Sequence, residues 1–145
     1  MANLAIHGAA GRMGKRLIAL GSQDPDLQLT AAVESAHCSQ LGSDAGVVAG
    51  VDAIGVDLTD QWPEGIETVI DFSVSEACMR ALQHCESAGI PLVVATTGLN
   101  ESQVAEIHAA AKTIPICWAP NMSLAVNLTM KMAEQAAAAL KDVPQ

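Results

Sequence analysis

The sequence predicts an α/β fold: a Rossmann-like, doubly wound, mainly parallel sheet with helices on both faces. Three observations predict it. Apolar runs of strand length alternate with helix-length segments along the chain. The middle runs are apolar at consecutive positions, as strands buried on both faces must be. A glycine triplet, "GAAGRMG" at 8–14, stands between the first strand and the first helix.

Strands are expected at 3–7, 27–34, 52–58, 67–73, 91–97 and 114–120, and helices at 12–22, 75–89, 100–112 and 123–141. The first helix opens directly on the glycine loop. Ser75 is expected to cap the second helix, which "AG" at 88–89 ends with Pro91 beyond. Asn100 is expected to cap the third, with Glu101 and Glu106 near its positive end. The stretch 35–50, small and polar with three glycines, reads as a long loop. The last segment is a strong helix former with Leu124, Leu128 and Met132 on one stripe. Right-handed crossovers then leave the sheet order little freedom.

Composition agrees and narrows the function classes. Half of the 145 residues are hydrophobic, yet only 2% are aromatic, which suits packed aliphatic layers. Sixteen acidic residues against seven basic give a net charge of −9, which argues against nucleic acid or an anionic membrane as partner. An anionic ligand must then be held by backbone dipoles and a few placed cations. No run approaches the roughly 18 apolar residues of a membrane span. The first residues enter a strand pattern directly rather than a leader, so a cytoplasmic location is expected. Cys38, Cys78, Cys85 and Cys117 lack CxxC spacing and read as reduced thiols.

The glycine triplet has context. It follows a strand, opens a helix, and is followed twenty residues after Gly14 by Glu34 at the end of the next strand. That constellation is a dinucleotide fingerprint, although the spacing is GxxGxxG rather than GxGxxG. Gly8 permits the tight turn, Gly11 lets backbone amides approach a pyrophosphate, and Gly14 lets helix and strand pack closely. Glu34 would accept hydrogen bonds from the adenosine ribose. The alternative is a tight strand-to-helix turn beside a solvated glutamate. Arg12 is the cation inside the loop, and His7 reads as an end-of-strand residue rather than a ligand. Three further loops, 71–76, 96–98 and 119–123, should line one crevice at the strand ends. They offer no evident nucleophile, general acid or metal cluster. Asp71 reads as a structural carboxylate for Ser73 or the following amides, and His84 and His108 fall inside helices.

"GAAGRMG", "LGSDAG", "VIDFS", "ATTG" and "APNMSLAVN", in that order, resemble the N-terminal domain of the 4-hydroxy-tetrahydrodipicolinate (dihydrodipicolinate) reductases of bacterial lysine biosynthesis, from Asn3 to about Leu140. The resemblance implies an NAD(P)H-dependent oxidoreductase of lysine and diaminopimelate biosynthesis, this chain being its cofactor-binding half. It implies that Gly8, Ala9, Ala10, Gly11, Arg12, Met13 and Gly14 hold the pyrophosphate, and Glu34 with Ser35 the adenosine ribose. Phe72 and Ser73 would line the groove. Ala95, Thr96, Thr97, Ala119, Pro120, Asn121 and Met122 would surround the nicotinamide, with Thr97 and Gly98 at the substrate.

Residues 1–122 would form the dinucleotide-binding domain. Residues 123–145 would lead toward a C-terminal domain that binds a dicarboxylate substrate and builds a homotetramer. The family's His-His-x-x-Lys and "SGT" segments lie in that domain and do not occur in these residues, so no catalytic residue and no metal site are expected here. Ala95 and Ala125 stand where glycine is usual in the family, and Met122 where Phe is common. Ser35, neutral and small, follows Glu34 and predicts NADH over NADPH. Two other readings remain open: a non-catalytic NAD(H)-sensing module, and the cofactor domain of another enzyme such as homoserine or aspartate-semialdehyde dehydrogenase.

Overall fold

A computed structural model of the chain describes residues 1–119 and 121–141. In chain order the elements are β1 (Ala2–His7), α1 (Arg12–Gly21), β2 (Leu27–Val33), α2 (Ala45–Ala49), β3 (Leu58–Thr59) and β4 (Thr68–Asp71). They continue with α3 (Ser75–Ala88), β5 (Leu92–Val94), α4 (Glu101–Ala110), β6 (Ile116–Trp118) and α5 (Leu124–Leu140). The strands form one sheet in the order β3-β2-β1-β4-β5-β6, with every neighbouring pair parallel. The order therefore reverses between β1 and β4, and a doubly wound sheet opens its ligand crevice there, above the carboxyl ends of the strands.

Side chains alternate across β1 and feed two cores. Leu4 and Ile6 join Ile18, Ala45 and Leu58 on one face, while Ala5 joins Val69, Leu82, Leu92 and Ile107 on the other. Helices thus cover both faces, as the continuous apolar runs predict.

Three local expectations differ. The stretch 35–50 is not all loop: α2 lies inside it, capped by Asp44, whose carboxylate accepts from the Val47 amide at 3.1 Å. The expected strand 52–58 joins the sheet only at Leu58–Thr59. The Ile54 and Gly55 amides donate to Asp44 at 3.1 and 2.8 Å, and the segment meets residues 43–45 through an isolated antiparallel Asp44–Asp57 bridge rather than extending the sheet. Burial pushes the Asp44 carboxyl up, but the Val47, Ile54, Gly55 and Gly46 amides outweigh it and hold it below the ordinary carboxylate range. The third difference is at α3. Val74 occupies its N-cap with no side-chain bond, and Ser75, already inside the helix, donates its hydroxyl to Glu76 at 3.1 Å.

Elsewhere the punctuation holds. Asn100 and Gln103 form a reciprocal capping box at 2.9 Å each way. Gly89 closes α3 with φ 70°. The strands β2, β4, β5 and β6 end one to three residues before the apolar runs do, which releases Glu34, Phe72 and Ala95–Thr97 into the loops above the sheet. Helix α5 has no buried residue, and Leu124, Leu128, Met130 and Met132 are all exposed. No helix among the described residues is long and apolar enough to cross a membrane.

Candidate functional site

At the β1–β4 reversal lies a groove of about 630 Å³. Its size falls within the about 300–1,000 Å³ typical of ligand sites. His7 and Gly8 form its floor. One wall is Val33, Glu34, Ser35 and His37, continued by Asp60, and the other is Phe72, Ser73 and Val74 with Ala77 and Arg80 of α3. Trp62 also lines the groove.

The glycine turn is built by its own backbone. Gly8 takes φ 77°, and a Cβ there would sit 2.7 Å from the Phe72 carbonyl oxygen, so only glycine fits. Its amide and that of Ala9 donate to the Val33 carbonyl at 3.0 and 3.2 Å. A Cβ on Gly14 would overlap the Gly8 carbonyl oxygen and the Ala9 backbone. The close packing is therefore of α1 on the turn, not on strand β1. Gly11 is the N-cap of α1, in extended conformation and without a side-chain cap. The first-turn amides of α1 thus face the groove end with their partial positive charge available. A Cβ on Gly11 would meet only the Gly8 carbonyl, at 3.1 Å, so its outer side is open to a ligand.

Glu34 sits at the rim. Its carboxylate accepts from the Ala10 amide at 3.0 Å and the Ser35 amide at 2.8 Å. Two such bonds fix the group and leave about half of its lone-pair sites free. Ser35 accepts from the His37 amide at 3.3 Å.

Under the floor lies a buried polar network. Asp71 is fully buried and accepts from His7 Nδ1 at 2.7 Å, Ser73 at 2.6 Å and Thr96 at 2.5 Å. His7 and Asp71 are register partners at the ends of β1 and β4, which places them side by side. One carboxylate thereby ties together the loops that follow β1, β4 and β5. Burial pushes its pKa up, yet hydrogen bonds from His7, Ser73, Thr96 and Cys78 together hold it below the usual carboxylate range. Asp71 bonds to Ser73 as the sequence suggested, but His7 comes from β1, Thr96 from the loop after β5 and Cys78 from α3. Behind the network, Trp62 packs tilted on His7 at 5.2 Å and stacks on His84 at 4.6 Å. Burial lowers the His84 pKa. Burial and the Asp71 charge push the Cys78 thiol well up and the Cys85 thiol up to about 12, so neither is a thiolate at neutral pH.

The other predicted residues distribute unevenly. Ala9 and Gly14 are buried beneath the turn, and Ala10 lends its amide to Glu34. Arg12 and Met13 are exposed at the start of α1, outside the groove lining. Ala95 and Thr96 are buried, and the Thr96 hydroxyl is committed to Asp71. Thr97, Gly98, Asn121 and Met122 are exposed, and Ala119 is half-buried; none lines the groove. Asn121 accepts from the Ser123 amide at 2.8 Å, and Ser123 caps α5. Pro120 and residues 142–145 lie outside the described residues.

Sequence reasoning missed His37, Asp60, Trp62, Val74, Ala77 and Arg80, and set His7 aside. One signal was available. Ala77 and Arg80, three apart in a helix opening just after "DFS", share a face toward the loop. Among the described residues no group of three or more metal-ligating side chains occurs.

The family model described as dihydrodipicolinate reductase, N-terminus, matches residues 2–122. The chain belongs to that family. A 4-hydroxy-tetrahydrodipicolinate reductase of Rhodopirellula baltica is 51% identical over 146 residues, covering 97% of this chain and 52% of its own length. One from Alkalilimnicola ehrlichii is 44% identical and covers 96% and 53%. The chain thus spans about half the length of the curated relatives it matches. A dipicolinate-bound dihydrodipicolinate reductase from Paenisporosarcina sp. TG-14 superposes with TM-score 0.68 at 19% identity, over 95% of this chain and 54% of that one, and supports the fold. Membership of this family sets aside the cofactor domains of homoserine and aspartate-semialdehyde dehydrogenases as readings of the chain.

Proposed function

We propose that this chain is the cofactor-binding half of a 4-hydroxy-tetrahydrodipicolinate reductase and binds NADH in preference to NADPH. The observation that carries the reading is the groove at the β1–β4 reversal, where an uncapped helix N-terminus and a fixed carboxylate face one cavity. The open side of Gly11 and the free amides of α1 suit a pyrophosphate. Glu34 retains acceptor sites for the adenosine ribose diol. When bound, the reduced nicotinamide would supply the hydride which, with uptake of a proton and loss of the 4-hydroxyl as water, converts the cyclic dicarboxylate to tetrahydrodipicolinate.

The chain's own residues bind and orient. Thr97, Gly98, Ala119, Asn121 and Met122 follow β5 and β6, at the edge where the nicotinamide and substrate would sit. That edge carries no Lys, Arg or His in 96–98 or 119–123, so cations for two substrate carboxylates and a proton donor must come from elsewhere. In this reading residues 1–122 are the binding domain, and 123–145 lead to a C-terminal domain that completes the site and a homotetramer. The location of the whole enzyme would be cytoplasmic.

Cofactor choice rests on Glu34 and Ser35. The carboxylate accepts from a ribose diol and repels a 2′-phosphate, and Ser35 adds no compensating charge. Titrating NADH and NADPH at one salt concentration tests this. Tighter binding of NADH is expected, with Ser35→Arg narrowing the gap; tighter NADPH binding, or no gain from Ser35→Arg, would overturn it.

A further inference from the structure

We propose that His7 contacts the cofactor, taking a hydrogen bond at Nε2 from a donor on its adenosine half. This rests on the dinucleotide reading of the groove and adds a residue to it. The chemistry follows from the partner. Asp71 is fully buried and ionised, so it only accepts, and the 2.7 Å contact requires that His7 Nδ1 carry the proton. In the neutral ring Nε2 is then a lone-pair acceptor.

Among the described residues, His7 makes no side-chain hydrogen bond except at Nδ1. No fully buried side-chain nitrogen or oxygen of the described residues is left without a partner, so Nε2 is reached from outside. The His7 side chain is only 9% exposed, and the opening it borders is the groove. A ring tied to a carboxylate at one nitrogen and packed against Trp62 at a 48° tilt presents the other nitrogen in one direction. Glu34, which would take the ribose diol, and the apolar Trp62, Val74 and Ala77, which suit the base, line the same groove as His7. With both ribose hydroxyls donating to Glu34, the donor left on the adenosine half is the adenine amino group.

The test uses a variant that keeps the network. Asn is close to isosteric with the Nδ1 half of the imidazole, so His7→Asn preserves the donor to Asp71 and deletes Nε2. NADH binding is measured for the native chain and for His7→Asn, together with competition by AMP, 2′-deoxy-AMP and IMP. Loss of one hydrogen bond corresponds to about threefold to tenfold weaker binding of NADH and AMP. That gap should close for IMP, which lacks the amino donor, and persist for 2′-deoxy-AMP. Equal affinity of both proteins for NADH would overturn the proposal, as would the same loss for all three competitors. Failure of the native chain to bind NADH at all would instead remove the dinucleotide reading beneath it. His7→Asn must retain the native melting temperature. If it does not, His7→Gln, whose Oε1 reaches the Nε2 position, is carried through the same cycle; NADH and AMP binding nearer to native than in His7→Asn is expected, and equal loss in both variants counts against a direct contact.

Discussion

The two ends of the crevice are built differently. At the β1–β2–β4 end, the glycine turn, Glu34, the Asp71 network and the Trp62 stack enclose a walled groove. At the β5–β6 end, Thr97, Gly98, Asn121 and Met122 lie exposed, and the chain runs on into α5, none of whose residues is buried. The lesson is a division of labour. Holding a nucleotide needs backbone dipoles and one carboxylate, which a single domain can preorganise. Reducing a dicarboxylate needs cations and an acid, and residues 96–98 and 119–123 at the open end carry no Lys, Arg, His, Asp or Glu.

The largest expected effect breaks the comparison outright. Positioned acid catalysis contributes about 10²–10⁴-fold, and electrostatic stabilisation is usually larger. Residues 1–145 should therefore bind NADH yet show no measurable turnover of 4-hydroxy-tetrahydrodipicolinate in a steady-state absorbance assay. Sustained reduction would mean that the open end holds a proton donor of its own.

Next come the walls. Asp71→Ala leaves the donors of His7, Ser73, Thr96 and Cys78 facing a buried void, and each donor left unsatisfied costs about 1–3 kcal/mol. Chemical denaturation of the native and variant chains reads this directly, and a loss under about 1 kcal/mol would mean the network is not what joins the three loops. The same carboxyl gives a pH signature. Asp71 and Asp44 are both held below the ordinary range, so their contribution is complete above pH about 4 and is lost as pH falls through their folded values. Denaturation midpoints taken from pH 6 to pH 2 should fall in that window. Asp71→Asn should flatten the fall.

Gly14→Val forces side-chain atoms into the Gly8 and Ala9 backbone, and should cost about 2–4 kcal/mol of stability as well as cofactor binding. Gly11→Ala has only one neighbour to disturb, so it should lower NADH affinity about tenfold, some 1.4 kcal/mol, with the melting temperature nearly unchanged. Normal binding by Gly11→Ala would remove the phosphate from its place on the turn. The smallest effect belongs to the open end. Ending the chain after Ser123 removes no buried residue among the described ones, so stability should change by no more than about 0.5 kcal/mol and NADH affinity by about twofold.

How far the sequence was legible follows the same division. The glycine spacing and Glu34 could be read because a turn packed on its own backbone depends on local residues. The Asn100–Gln103 capping box is likewise local. Helix α2 could not be read, because five residues between glycines carry too little periodicity, and Asp44 both caps it and takes the amides of 54 and 55. The far wall was hidden for another reason. His7 meets Asp71 only because β1 neighbours β4 in that register, and Trp62 reaches both His7 and His84 from a segment without regular structure. Sixty-four residues separate His7 from Asp71, and no spacing rule spans them.

The central claim is that the walled end holds the cofactor by its adenosine and pyrophosphate portion. Calorimetric titration of the 145-residue chain with NADH and with ADP-ribose, which lacks the nicotinamide, tests it most directly. Saturable binding of both is predicted, with ADP-ribose within about tenfold of NADH, a difference of at most some 1.4 kcal/mol. Binding of NADH with no detectable binding of ADP-ribose would place the affinity at the open end and contradict the account.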